Sequence, residues 1–112
     1  MAHYAFLDKD NVVTEVIVGI DETELIEGVL PEIWYGNFRN QTCKRTSYNG
    51  NVRGKYAGIG DTYNEEEDIF VAPQPFASWV RSGSHWVAPI AKPDDGKIYQ
   101  WNETEGAWNE LS

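Results

Sequence analysis

The chain has 112 residues, enough for one domain with a modest core. Its 41% hydrophobic and 24% charged content is that of a globular protein, and five tryptophans let a small core bury large areas. A formal charge of −9 makes nucleic acid and anionic membranes poor partners, and a single cysteine, Cys43, excludes an intramolecular disulfide.

No apolar run approaches the ~20 residues needed to span a bilayer. The start, Met1-Ala-His-Tyr-Ala-Phe-Leu-Asp8, lacks the basic opening and long apolar core of a secretion signal, so synthesis and folding in a cytoplasm are expected. There is no CxxC and no His-rich pair, and the only histidines, His3 and His85, read as surface or hairpin residues rather than ligands. No metal and no cofactor is expected.

Residues 3–8 and 12–18 read as two strands around the turn Asp8-Lys-Asp-Asn11. Val12, Val13, Val16, Ile17 and Val18 are β-branched, and Gly19 closes the second strand. Asp21 to Gly28 has the pattern of a short helix, with Asp21 as N-cap, Glu24 at capping-box spacing and Gly28 as the stop. Pro31 then opens a second short helix through Arg39, because proline is tolerated at the first helical position. Ile33, Trp34 and Phe38 are expected to pack from it onto the first hairpin. Thr42 to Tyr48 alternates weakly and reads as a strand with Cys43 facing inward. A nucleophilic Cys43 activated by Lys44 and Arg45 would need a histidine base that the pattern lacks, so a buried, inert thiol is expected.

Residues 49–60 hold four glycines and read as an irregular loop carrying Arg53 and Lys55. The spacing of Gly54, Gly58 and Gly60 is not a dinucleotide fingerprint, since no helix follows and no βαβ unit surrounds it.

From Asp61 onward one pattern is written three times: Tyr63…Phe70, Trp79…Trp86 and Trp101…Trp108, each two aromatics seven residues apart around a polar hexapeptide. Four-residue loops would pair the two aromatics of each copy across an antiparallel ribbon. Pro73, Pro75, Pro89 and Pro93 separate the copies, because proline cannot donate to a ladder. Glu65-Glu-Glu-Asp68 is an exposed acidic turn that does not spell a calcium loop. The expected fold is mainly β, a small α+β protein. It has an N-terminal β-hairpin, one or two short helices near residues 21–38, and three consecutive aromatic β-hairpins. The organisation expected is 1–60 for the first part and 61–112 for the hairpin region, in one domain or with the hairpins as a semi-independent arm.

Charge is unevenly placed. Between Ile33 and Gly60 there is no acid, yet five of the nine basic residues lie there: Arg39, Lys44, Arg45, Arg53 and Lys55. Either this segment packs against the chain's own acidic flanks, or it docks onto an acidic surface of another protein; nucleic-acid contact is the least favoured reading.

Several stretches together resemble a known family. They are Tyr4-Ala-Phe-Leu-Asp8 with Val12-Val-Thr-Glu-Val-Ile-Val-Gly19, Cys43-Lys-Arg-Thr-Ser-Tyr-Asn49, Tyr56-Ala-Gly-Ile-Gly60, Pro73-Gln-Pro-Phe-Ala-Ser-Trp79, and Pro93-Asp-Asp-Gly with Tyr99-Gln-Trp-Asn. The chain is similar over nearly its full length to small proteins of marine tailed bacteriophages, including cyanophages. It is shorter than many members between Tyr48 and Tyr56. That family is described loosely as virion structural or uncharacterised, so the resemblance implies a virion-associated structural protein and carries over no catalytic residues.

Three functions follow as expectations. The first is a non-enzymatic accessory protein of the phage virion, decorating the head (capsid) or sitting in the neck, tail or fibre. It would bind other virion subunits through Arg39, Lys44, Arg45, Arg53 and Lys55, with the hairpin aromatics contributing to an interface that includes symmetric copies of a homo-oligomer. The second is a carbohydrate- or receptor-binding module whose glycan platform is Trp79, Trp86, Trp101 and Trp108. The third, an enzyme, is disfavoured because the carboxylates fall in turns and nothing pairs them in a pocket.

Overall fold

The apolar residues at the start of the chain form the strand on which the first unit is built. In the computed structural model, which describes residues 2–111, β1 (Ala2–Leu7) is the middle strand of an antiparallel sheet, flanked by β2 (Val13–Gly19) and β3 (Thr42–Thr46). The expected first hairpin is present. Its turn is held by Asp8, whose Oδ1 accepts from the amides of Asp10 and Val12 at 2.8 and 3.0 Å, while Asn11 adopts φ 64°. Short polar side chains tolerate that left-handed conformation and satisfy the turn amides locally.

Side chains alternate across a strand, so β1 presents Tyr4 and Phe6 to one face of the sheet and Ala5 and Leu7 to the other. On the first face Tyr4, Phe6 and Cys43 pack with Ile17 and with Tyr35 of the helix α1 (Pro31–Arg39). On the second, Ala5, Leu7 and Val13 pack with Ala57 and with Tyr63 and Phe70. Those two aromatics belong to a hairpin of β4 (Thr62–Asn64) and β5 (Ile69–Val71). Cover on both faces is why Tyr4, Ala5, Phe6 and Leu7 are all at most 1% exposed.

Two helical expectations part here. Residues 21–28 do not form a helix. Asp21 spends its Oδ1 on the amide and hydroxyl of Thr23, and Ile26 bridges Val29 around Glu27 and Gly28, both at positive φ (53° and 80°). Positive φ at both central residues makes a tight primed turn, and a segment this short has too few helical hydrogen bonds to outweigh it. The Pro31–Arg39 helix does form, with proline at its start and Asn40 in the left-handed region at its end.

Its expected apolar face, however, points the other way. Ile33 and Phe38 are 51% and 73% exposed, and the sheet is met instead by Pro31, Tyr35 and Gly36. The physical reason lies at Gly36, where an added Cβ would stand 2.8 Å from the carbonyl oxygen of Gln41. The helix returns into β3 so closely at that point that only a glycine fits, and this sets its rotation.

The chain divides into two compact units after Pro73, so the first aromatic hairpin folds with the N-terminal unit rather than with the two that follow residue 73. The second unit contains β6 (Val80–Ser82) with β7 (His85–Val87), and β8 (Tyr99–Asn102) with β9 (Ala107–Glu110). Tyr63 pairs with Phe70 and Trp101 with Trp108, as the spacing predicts. Trp79 does not pair with Trp86, which lies opposite Arg81. The cause is in the turns. Asn64 and Asn102 accept through Oδ1 from the amides of Glu67 and Glu105 at 2.9 and 3.0 Å, which opens a four-residue loop. The middle copy has Val80 at that position, with no acceptor, and turns instead over Gly83 (φ 60°) and Ser84. A glycine at the first central position favours the two-residue hairpin turn.

Gly36→Ala tests the helix placement. In an exposed helix the change would stabilise by about 1 kcal/mol; here the clash with Gln41 should destabilise by about 1–3 kcal/mol, read from urea unfolding of the first unit. A stabilised variant would show that the helix is not held at that distance.

Candidate functional site

The five basic residues proposed from the sequence lie in the first unit on α1, β3 and the 49–60 loop. Arg39 donates to Glu15 Oε1 from both terminal nitrogens (2.8 and 2.7 Å) and lies over the Phe6 ring, 4.5 Å from its centroid. Arg45 pairs with Glu22 at 2.9 Å, and Lys55 with the buried Asp61. Lys44 stands over the Tyr63 ring, 5.3 Å from its centroid.

Arg53 is the most embedded. Its Nε donates to Asp68 Oδ1 at 2.7 Å, and its Nη1 donates at 2.9 Å to both Glu32 Oε2 and the Arg45 carbonyl. Its own carbonyl accepts from the Phe70 amide at 2.9 Å. One guanidinium thus joins α1, β3, the glycine loop and the turn of the β4–β5 hairpin. Burial lowers the Arg53 pKa, but the Asp68 hydrogen bond and the Glu32 charge outweigh it and hold the value above normal. Asp68 also accepts from the Tyr63 hydroxyl. That bond, followed by the one from Arg53, holds the Asp68 carboxyl below its usual range. Burial, then the Asp68 hydrogen bond, pushes Tyr63 up to about 12. Four of the five cations are therefore neutralised within the chain, the arrangement of the self-packing reading. The sequence could signal this only through the acid-free segment between acidic flanks.

The aromatic candidates lie in the second unit. Trp101 meets Trp108 and Trp79 edge-on, with centroids 5.2 and 6.0 Å apart, and Trp79 meets Trp108 at 6.0 Å. Edge contacts of this kind build a small core, and Trp101 is only 6% exposed. Trp86 lies on β7, in the other hairpin. The rings of Trp79, Trp101 and Trp108 therefore stack on one another instead of lining up as a flat platform. Beside Trp101 a polar groove is lined by Gln100, Asn102, Glu103 and Asn109. Its carboxylate is occupied, since Glu103 accepts from the Ser78 amide and hydroxyl and from Trp101 Nε1. Those bonds, Ser78 first, hold the Glu103 carboxyl below its usual range.

Cys43 is buried, and burial followed by the charge of Glu32 pushes its thiol up to about 12. His3 sits against the rings of Tyr48 and Tyr56. Among the described residues no group of three or more His, Cys, Asp or Glu is placed to hold a metal, and no helix is long and apolar enough to cross a membrane.

What the sequence reading missed is the outer face of α1. Leu30, just before the helix, together with Ile33, Trp34 and Phe38, forms a stripe at helical spacing in which Leu30 (52%), Ile33 and Phe38 are exposed and Trp34 is half-buried. The Trp34 and Phe38 rings stack, centroids 5.3 Å apart and 10° from parallel. The spacing was visible; the side of the helix facing the sheet was not. Comparisons with known proteins return no matching family model, no curated protein and no solved structure.

The ion-pair node and the buried thiol each make a prediction. Because the Asp68 pKa is depressed in the folded state, its contribution is present above the unfolded value near 3.8 and is lost as pH falls through the folded value. Asp68→Asn should therefore flatten the fall in stability below about pH 4, measured by urea unfolding across pH; an unchanged acid limb would contradict the role given to Asp68. In the native protein Cys43 should react with a thiol reagent at least tenfold more slowly than in urea. Equal rates would show that the thiol is not shielded.

Proposed function

We propose that this chain is a non-enzymatic structural or accessory protein of a tailed-phage virion. It is a head decoration or a neck, tail or fibre component that acts by binding other virion subunits. The sequence resemblance supports the particle. The observation that carries the binding role is uncovered apolar surface in both units. Residues 74–111 bury only Trp101 and Ser84, while Val80, Val87, Ile90, Ile98 and Leu111 are all about half exposed or more. Units below about 40 residues usually need a disulfide, a metal or an association to be stable, and this one contains no cysteine. An association would supply that stability, and exposed apolar patches commonly mark such contacts. The neutralised basic segment then serves mainly to hold the first unit together.

Mass spectrometry of purified particles, combined with lysine cross-linking, tests the proposal. Stoichiometric recovery with cross-links to a head or tail subunit is expected. Absence from the particle would overturn it.

A further inference from the structure

We propose that the outer stripe of α1 (Leu30, Ile33, Trp34 and Phe38) is a docking face, and that its occupant is an apolar cleft on another protein edged by lysine and arginine. The inference rests on the subunit-binding reading and specifies the face and the partner's charge.

The stripe is not left over from a loosely held helix. α1 is fixed from its opposite side, by Gly36 against β3 and by Tyr35, whose ring meets Tyr4 at 5.1 Å and whose hydroxyl accepts from the Ile20 amide at 3.2 Å. The stripe itself is pre-arranged. Trp34 leans edge-on against Tyr35 at 5.6 Å, stacks on Phe38, and donates from Nε1 to Glu27 Oε2 at 3.4 Å. Side chains already ordered in the free protein lose little freedom on binding, and tryptophan is among the residues that dominate interface energies.

Charge selects the occupant. The arginines of α1, β3 and the adjoining loop are committed to Glu15, Glu22, Glu32 and Asp68. Glu27, whose carboxylate receives Trp34 Nε1 at the edge of the stripe, meets no cation among the described residues. The uncompensated charge beside the stripe is therefore negative, on a chain of net charge −9. An anionic lipid surface or nucleic acid would be repelled, and a second copy would bring the same uncompensated acid and the same net charge to the contact. A cationic rim around an apolar cleft complements both features, steering encounter through charge while the aromatics supply the affinity.

The test places a photoreactive phenylalanine analogue at position 38 in particles produced from cells, with position 59 as control, since Ile59 is 75% exposed on the glycine loop. Position 38 should cross-link to one other subunit, at an apolar surface flanked by Lys or Arg, at least tenfold above position 59. Phe38→Ala should lower particle occupancy about tenfold, with an unchanged circular dichroism spectrum because the side chain is exposed. Glu27→Gln should reduce the salt sensitivity of the association. A chain stoichiometric in particles but cross-linked from position 38 to its own copies, to an acidic surface or to nothing would overturn this inference and leave the subunit-binding role standing. Wild-type occupancy of Phe38→Ala would do the same. A chain missing from the particle would instead remove the reading on which the inference depends.

Discussion

The first unit depends on the burial of β1 from both sides. A middle strand with large side chains on each face needs two covers, and the chain supplies them from different places: α1 over Tyr4 and Phe6, and the β4–β5 hairpin with Ala57 over Ala5 and Leu7. The connections are constrained in turn. The segment after β2 must reach the start of α1, and the glycine-rich segment after β3 must cross to the opposite face. Hydrogen bonds from the Thr46 hydroxyl to the Lys55 carbonyl (3.3 Å) and from the Ala57 amide to the Thr46 hydroxyl (2.9 Å) fasten that crossing.

Electrostatics follows from the same arrangement. Once the loop crosses, Arg53 reaches carboxylates from α1 and from the turn of the β4–β5 hairpin, and its planar fork serves them together with a backbone carbonyl. A segment that is strongly basic along the chain thereby loses most of its free charge in space. Of the five cations only Lys44, which stands over the Tyr63 ring, has a ring rather than a carboxylate against it. Sequence charge runs predict a binding surface only when the fold does not bring their counter-ions to them.

The second unit follows another principle. Two short ribbons meet through three tryptophans, and little else is buried. Local turn chemistry decides its details. An asparagine before the loop makes four-residue turns with aromatics opposed, and a Gly-Ser pair without that asparagine makes a two-residue turn with a shifted register. The aromatic that the shift leaves outside the ladder, Trp79, is the one whose ring packs onto Trp101 and Trp108.

The sequence by itself determined the local structure: the first hairpin from β-branched strands around an Asp-Asn turn, α1 from Pro31, the inward Cys43, and the hairpins that place Tyr63 opposite Phe70 and Trp101 opposite Trp108. These depend on neighbours within a few residues, whose steric and hydrogen-bonding preferences are written in order. The Gly83-Ser84 turn was also readable, but the aromatic spacing masked it. Only the tertiary structure decided which face of α1 is buried, because that rests on Tyr35 packing against Tyr4 and the sheet, far away along the chain. It alone decided that Arg39, Arg45, Arg53 and Lys55 are neutralised, since their partners lie between 6 and 24 residues away along the chain. Burial and ion pairing are set by proximity in space, and the candidate site, an aromatic stripe with an acidic edge, is made of what those two leave uncovered.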